Sequence, residues 1–264
     1  MSANLKNEGP IGVFDSGLGG LTVLKYLLKS LPGEDYIYLG DLINLPYGNK
    51  STSSIVEYSL RCVNFLKSKN VKCIIVACNT ASSVAISKIK KSTKIPVFDV
   101  ISPCVENIIK TENKSVAIIG TEKTIQSNVY SKLIKLYNKK ITIYNQACPL
   151  FVPIIEEGLK NSDISKGIID YYLKEIKAKN VDQLVLGCTH YPVIIDDLRK
   201  YFNNNIDILH SGPFVVKQVL ESFSQNHKTK NKIDYYVTDL PDRFQKLGNR
   251  FFNKSIKKVN LVSI

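Results

Sequence analysis

Histidine is scarce in this sequence: His190, His210 and His227 are the three present. The six cysteines, at 62, 73, 78, 104, 148 and 188, include no CxxC pair, and their spacings match no zinc ribbon or finger. A structural zinc module is excluded on these grounds, and Cys188-x-His190 alone is too little for a metal site. Arginine is also sparse, standing at 61, 199, 243 and 250, and the lysines scatter without a long basic block. The formal charge is +13, yet base-edge and bidentate phosphate contacts rely mainly on arginine. Nucleic acid is therefore not the expected partner, and a positive field suits attraction of a small anionic substrate instead. No apolar run approaches the roughly 20 residues of a membrane span. The opening MSANLKNEGP has no apolar core of a signal peptide. The expectation is a cytoplasmic protein without membrane association, whose cysteines are free thiols and mostly inert core residues.

What is present is a regular alternation. IGVF (11–14), YIYLG (36–40), CIIVAC (73–78), SVAIIG (115–120), ITIYN (141–145) and QLVLGC (183–188) read as strands. They lack polar alternation, so they are expected to be covered on both faces, as in a parallel sheet. Leu21, Leu24, Leu28 and Leu31 repeat at helix spacing. So do Val56, Leu60 and Val63, behind a capping-box pattern of Ser54 and Glu57. This is an α/β pattern, and the 264 residues suit one large domain or two ordinary ones.

The pattern also repeats. VKCIIVACNTAS, from Val71, and VDQLVLGCTHYP, from Val181, each run through apolar residues to a cysteine, Cys78 or Cys188, with Thr80 or Thr189 following. A strand ending at Asp15 precedes the first, and one ending near Gly120 and Thr121 precedes the second. The simplest account is two similar parallel-sheet α/β lobes related by an approximate two-fold. Residues 1–100 plus 212–264 would form the first lobe, and residues 101–211 the second. Ligands bind open α/β sheets at the carboxyl ends of strands. Facing lobes would then bring both thiols to one cleft.

A thiol at a helix N-terminus has its thiolate stabilised, so both pKa values are expected to fall. A lone cysteine in this setting could be a nucleophile, a metal ligand or a packed thiol, and duplication disfavours the last. Two opposed thiols suit inversion of a carbon bearing hydrogen: one removes the proton from one face while the other returns one to the opposite face. Asp15 and Ser16 lie at another strand end in the Cys78 lobe, where Asp15 could hold an ammonium or support Cys78, and Ser16 a carboxylate. The glycines of FDSGLGG form a strand–helix turn that is neither a dinucleotide fingerprint nor a Walker motif. His190 could relay a proton beside Cys188 or be a core histidine. Tyr47 and Gly48, in LPYGNKS, could offer a hydroxyl and an N–H to an anion or form an ordinary loop. In CPLFVPIIEEG a helix is expected after Pro153. Its Glu156–Glu157 pair would ordinarily be solvated, but one carboxylate facing the cleft could position His190.

Taken in order and spacing, FDSGLGG, LPYG, VACNTAS, CPLFVPIIEEG and LGCTHYP resemble the glutamate racemases of the aspartate/glutamate racemase family, from about residue 10 to 215. The resemblance implies two lobes with the site between them, no cofactor and no metal. It implies interconversion of L- and D-glutamate, the D-isomer supplying peptidoglycan precursors, with Cys78 taking the α-proton of D-glutamate and Cys188 that of L-glutamate. Asp15 would assist Cys78, while His190 and Glu157 would assist Cys188. Asp15, Ser16, Tyr47, Gly48, Asn79, Thr80, Thr189 and His190 would contact substrate, and a homodimer is expected. Racemisation of aspartate or another amino acid, and a basic nucleic-acid-binding protein with structural thiols, are the competing readings.

Overall fold

The computed structural model describes residues 8–223, 231–252 and 255–264; His227 lies outside the described residues. The strands are β1 (Ile11–Asp15), β2 (Tyr36–Gly40), β3 (Cys73–Val76), β4 (Val97–Asp99), β5 (Ser115–Gly120), β6 (Thr142–Ala147), β7 (Gln183–Gly187), β8 (Asp207–His210), β9 (Ile233–Val237) and β10 (Val259–Leu261). Among the described residues they form two parallel sheets, β10-β9-β2-β1-β3-β4 and β6-β5-β7-β8. The order β2-β1-β3-β4 thus recurs as β6-β5-β7-β8, which is the repeat seen in the sequence. Asp15 corresponds to Gly120, and Cys78 to Cys188. The late strands β9 and β10 join the first sheet beside β2.

Between the strands lie α1 (Leu21–Ser30), α2 (Thr52–Ser68), α3 (Asn79–Val84), α4 (Ile86–Ser92), α5 (Ser102–Ile109), α6 (Glu122–Ser127), α7 (Val129–Tyr137), α8 (Phe151–Glu156), α9 (Asp163–Ala178), α10 (Ile195–Tyr201), α11 (Ser211–Ser222) and α12 (Pro241–Phe252). Successive strand residues feed different cores, because side chains alternate across a sheet. In β3 and the residues after it, Cys73, Ile75 and Ala77 join a core shared by both lobes, while Ile74, Val76 and Cys78 join one confined to the first lobe. In the second lobe Leu184 and Leu186 join the shared core, and Val185 joins a cluster on the opposite face. Both faces of these central strands are covered, hence the absence of polar alternation; ITIYN departs from that expectation, because it falls on the edge strand β6, where Thr142 and Asn145 are exposed.

Two local expectations are corrected. The cap of α2 is Ser51, whose Oγ accepts from the Ser54 N–H at 3.1 Å, so the helix begins before the Ser54–Glu57 pattern. Glu57 instead pairs with Arg61, one turn on. Helix α8 begins at Phe151, ahead of Pro153. Proline is tolerated there because the first N–H groups of a helix have no intrahelical partner. At the far end of the first sheet from the thiols, Lys72 Nζ donates to Glu34 Oε2 at 2.6 Å, with both side chains buried.

Candidate active site

Strand β3 delivers Cys78 to the start of α3, where its side chain caps the helix: the Ala81 N–H donates to Sγ at 3.5 Å. Ser16 Oγ lies 3.5 Å from the same sulfur. The expected fall in pKa is not what this environment produces. Burial and the neighbouring Asp15 carboxylate push the Cys78 thiol up to about 12, and the bonds from Ala81 and Ser16 only partly oppose them. Cys188 is among the charges that act on it, so the two sulfurs sense one another across the seam between lobes.

The Cys188 side is built differently. No helix starts at Thr189; a short 3-10 turn begins at Tyr191, its N–H bonded to the Cys188 carbonyl, and α10 follows. The sulfur of Cys188 faces His190 Nδ1 at 3.9 Å, and Nε2 of that ring is 3.1 Å from Glu156 Oε1. Burial works against charge on His190, but Cys188 and Glu156 outweigh it and raise the imidazole to about 10. The raised imidazole favours the charged ring, which can balance negative charge on the adjacent sulfur. Burial tends to raise the Glu156 carboxyl, yet His190 and Arg243 hold it below the usual carboxylate range.

The carboxylate on His190 is thus Glu156 and not Glu157. Glu156 ends the helical turn facing inward, whereas Glu157 is the exposed C-terminal cap of α8. Helix α12 closes over this pair: Phe251 meets His190 edge-on with ring centres 5.8 Å apart, and Arg243 reaches Glu156 Oε2 at 3.4 Å.

Asp15 belongs to both sides. Its Oδ1 accepts from the Gly17 N–H at 2.8 Å, and its Oδ2 accepts from Thr189 Oγ1, on the other lobe, at 3.3 Å. Burial raises this carboxyl even though the charge on His190 pulls it down. The Thr22 hydroxyl lies 2.8 Å from both the Gly19 and Thr189 carbonyls, sharing its proton across the seam. The glycine-rich turn serves close approach: none of its glycines has a positive φ, but a β-carbon on Gly19 would overlap Thr189 and His190. On the first-lobe rim Thr80 Oγ1 is 2.9 Å from Thr121 Oγ1, and Gly48 packs against Thr121. A cavity of about 230 Å³ opens there, lined by Pro46, Gly48, Thr121, Pro149, Val152 and Glu156 among others, and reaches the outer end of the Cys188–His190–Glu156 row.

Tyr47 departs from its expected role. Its hydroxyl is buried, donates to Asp41 Oδ2 at 2.6 Å and so is not offered to the cleft. That carboxylate also accepts from Asn44 and Thr238, which fastens the Tyr47–Gly48 lip to the segment following β9. Asn79, Thr80, Thr189, His190, Ser16 and Asp15 all lie buried around the seam with the two thiols. Thr22, Thr121, Arg243 and Phe251 enter the neighbourhood with no motif that marks them for it, whereas Glu156 is the member of the acidic pair that faces inward. Among the described residues no group of three or more His, Cys, Asp or Glu side chains is arranged to hold a metal ion, and no helix is long and apolar enough to cross a membrane.

The family model described as Asp/Glu/Hydantoin racemase matches residues 11–219. The chain belongs to this family. It is 40% identical over 242 residues to a glutamate racemase of Sulfurihydrogenibium sp. (strain YO3AOP1), covering 91% of this chain and 92% of that one. The fold superposes on a glutamate racemase of Francisella tularensis solved in complex with D-glutamate, with a TM-score of 0.90 and 36% identity over 97% of this chain and 98% of the other. A glutamate racemase isoform of Bacillus anthracis gives a TM-score of 0.92 at 29% identity, covering 98% of each chain.

Proposed function

We propose that this racemase interconverts L- and D-glutamate by a two-base mechanism carried by Cys78 and Cys188. The observation that carries the reading is the placement of two buried sulfurs at equivalent strand ends, β3 and β7, on opposite sides of one seam. Substrate enters with one sulfur as thiolate and the other as thiol. The thiolate takes the α-proton, the C–H electron pair stays on the substrate as a carbanion delocalised into the α-carboxylate, and the opposite thiol gives its proton to the other face. The protonation states of the two sulfurs are then exchanged and are restored through solvent.

The two environments fit unequal starting states. Cys78, raised to about 12, is a thiol at neutral pH and is set to donate. The imidazolium of His190 stands beside Cys188, where negative charge is needed for abstraction from L-glutamate. In the reverse direction Cys78 is the base, and its high pKa makes its thiolate a strong one. Because the α-proton is weakly acidic, the carbanion needs fixed donors and exclusion of water. We assign substrate contact to Asp15, Ser16, Asn79, Thr80, Thr189 and His190 and to the backbone of the Tyr47–Gly48 lip. Glu156, in place of Glu157, holds His190.

We also propose the lobe division 1–100 with 212–264 against 101–211, a reading supported by the sheet that each strand joins. A homodimer, a cytoplasmic location and the supply of D-glutamate for peptidoglycan go with this reading through the family resemblance.

The test is racemisation of each pure enantiomer in deuterated water. Deuterium is expected in the product enantiomer early, with little in the recovered substrate. Failure to act on glutamate with turnover of aspartate would overturn the substrate. Deuterium appearing equally in substrate and product from the first turnovers would overturn the two-base assignment.

A further inference from the structure

Helix α7 of the second lobe sends the Tyr130 hydroxyl across the seam to Asn79, donating to Oδ1 at 2.7 Å with both residues buried. Asn79 is the first residue of α3, next to Cys78. Its other amide atom, Nδ2, is buried and has no hydrogen-bond partner among the described residues. A buried amide NH₂ left unpaired is costly, and native proteins keep few such groups without a reason. An asparagine amide has one acceptor end and one donor end, so the phenol that occupies the acceptor end also fixes which end remains free.

We propose that Tyr130 is a positioning residue for catalysis: by gripping the carbonyl end of Asn79 from the opposite lobe, it presents the NH₂ end as a donor to a carboxylate of the bound substrate. The inference rests on the glutamate racemase reading and adds to it a residue outside the matched motifs. Burial raises the Tyr130 phenol well above its ordinary pKa, so it stays a neutral donor across the working pH range. Ser211 lies near the same hydroxyl, so a phenol released from Asn79 has a second neighbour to turn toward. The bond joins α7 to α3 across the seam, so the orientation of the amide depends on the packing of one lobe against the other.

The test compares Tyr130→Phe, Asn79→Ala, Asn79→Asp and the Tyr130→Phe/Asn79→Ala double variant, reading kcat/KM on D- and L-glutamate together with the thermal midpoint. Tyr130→Phe keeps the ring and removes only the hydroxyl. It is expected to lower kcat/KM about tenfold in both directions, the size of one hydrogen bond to a charged group. In the Asn79→Ala background the same change is expected to cost nothing further. Asn79→Asp keeps an acceptor for Tyr130 but removes the NH₂, so it should lose activity as Asn79→Ala does while retaining more of the thermal midpoint.

A purely structural bond between lobes would lower the midpoint and leave kcat/KM unchanged in Tyr130→Phe, which would overturn the proposal. Equal losses in the presence and absence of the Asn79 side chain would overturn it too. Should Tyr130→Phe not fold, Asn79→Asp decides: near-normal turnover by that variant sinks the idea. A parent chain inactive on glutamate would instead refute the substrate reading, which the variant ratios do not address.

Discussion

A β-carbon added to Gly19 would stand 2.3 Å from Thr189 Oγ1 and 2.5 Å from His190 Nδ1. The first lobe therefore touches the Cys188 side of the site with bare backbone. Gly19→Ala is expected to push Thr189 and His190 out of place and to reduce kcat at least about a hundredfold, since small misplacements of catalytic groups are costly, with a stability loss of about 1–3 kcal/mol from overpacking. Gly17→Ala is the control. Its β-carbon would meet only the tip of the Leu45 side chain, at 3.0 Å, and activity should stay within a few-fold of the parent. Steady-state kinetics and thermal melts of the two variants check this.

Cys78→Ser and Cys188→Ser are each expected to abolish racemisation in both directions, because in the proposed mechanism each sulfur would serve as acid one way and base the other. Optical rotation started from either enantiomer reads the result; near-normal turnover by either variant contradicts the assignment. Asp15→Asn adds a finer check. Burial is the main cause of the raised Cys78 thiol and the Asp15 charge the second, so removing that charge should lower its pKa. Alkylation of Cys78 should then rise at lower pH than in the parent, as followed by peptide mass spectrometry.

The pair of His190 and Glu156 gives a pH prediction with a definite sign. His190 is raised from about 6.5 to about 10 in the fold, Cys188 and Glu156 outweighing the burial that opposes charge. Its contribution to stability is complete below about pH 6.5 and is lost as pH rises through about 10. Glu156→Gln removes one of the two causes, so the loss should begin at lower pH, while Glu157→Gln should follow the parent curve. Denaturant midpoints measured across pH 6–11 distinguish the two, and an unchanged Glu156→Gln curve would count against the linkage.

Lys72 and Glu34 are buried together, with side-chain exposures of 1% and 3%. Leaving one charge unpaired should cost about 3–5 kcal/mol. Lys72→Met and Glu34→Gln are therefore expected to lower the urea midpoint clearly. The pair sits at the opposite end of the first sheet from the thiols, so kcat/KM of the folded fraction should hardly change.

Much of the site was legible because strand ends are marked locally. Apolar runs stopping at Asp15, Cys78 and Cys188 fix the carboxyl edge of each sheet, and a parallel sheet puts those ends on one side. What escaped depends on facts that sequence pattern carries poorly. Which of Glu156 and Glu157 faces inward follows from where α8 starts, and Pro153, read as the beginning, lies inside the first turn. Tyr130 meets Asn79 from 51 positions away, with no shared motif to tie them. The Tyr47 hydroxyl looked free because its acceptor, Asp41, is a buried carboxylate that nothing local distinguishes from a solvated one. The pKa of Cys78 was misjudged because a helix terminus is visible in sequence and the depth of burial is not. Short edge strands such as β4 and β8 were missed because three or four residues scarcely define a period.

The two lobes are not finished in the order of the chain. The second sheet is complete once β8 has been made, but β9 and β10 complete the first sheet, and α12 supplies the Phe251 and Arg243 that cover His190 and Glu156. A ribosome-bound chain can fold its middle portion while its beginning still waits for partners that are yet to be translated. A nascent chain halted before residue 241 would therefore carry both sulfurs but lack the ring and the guanidinium that cover His190 and Glu156.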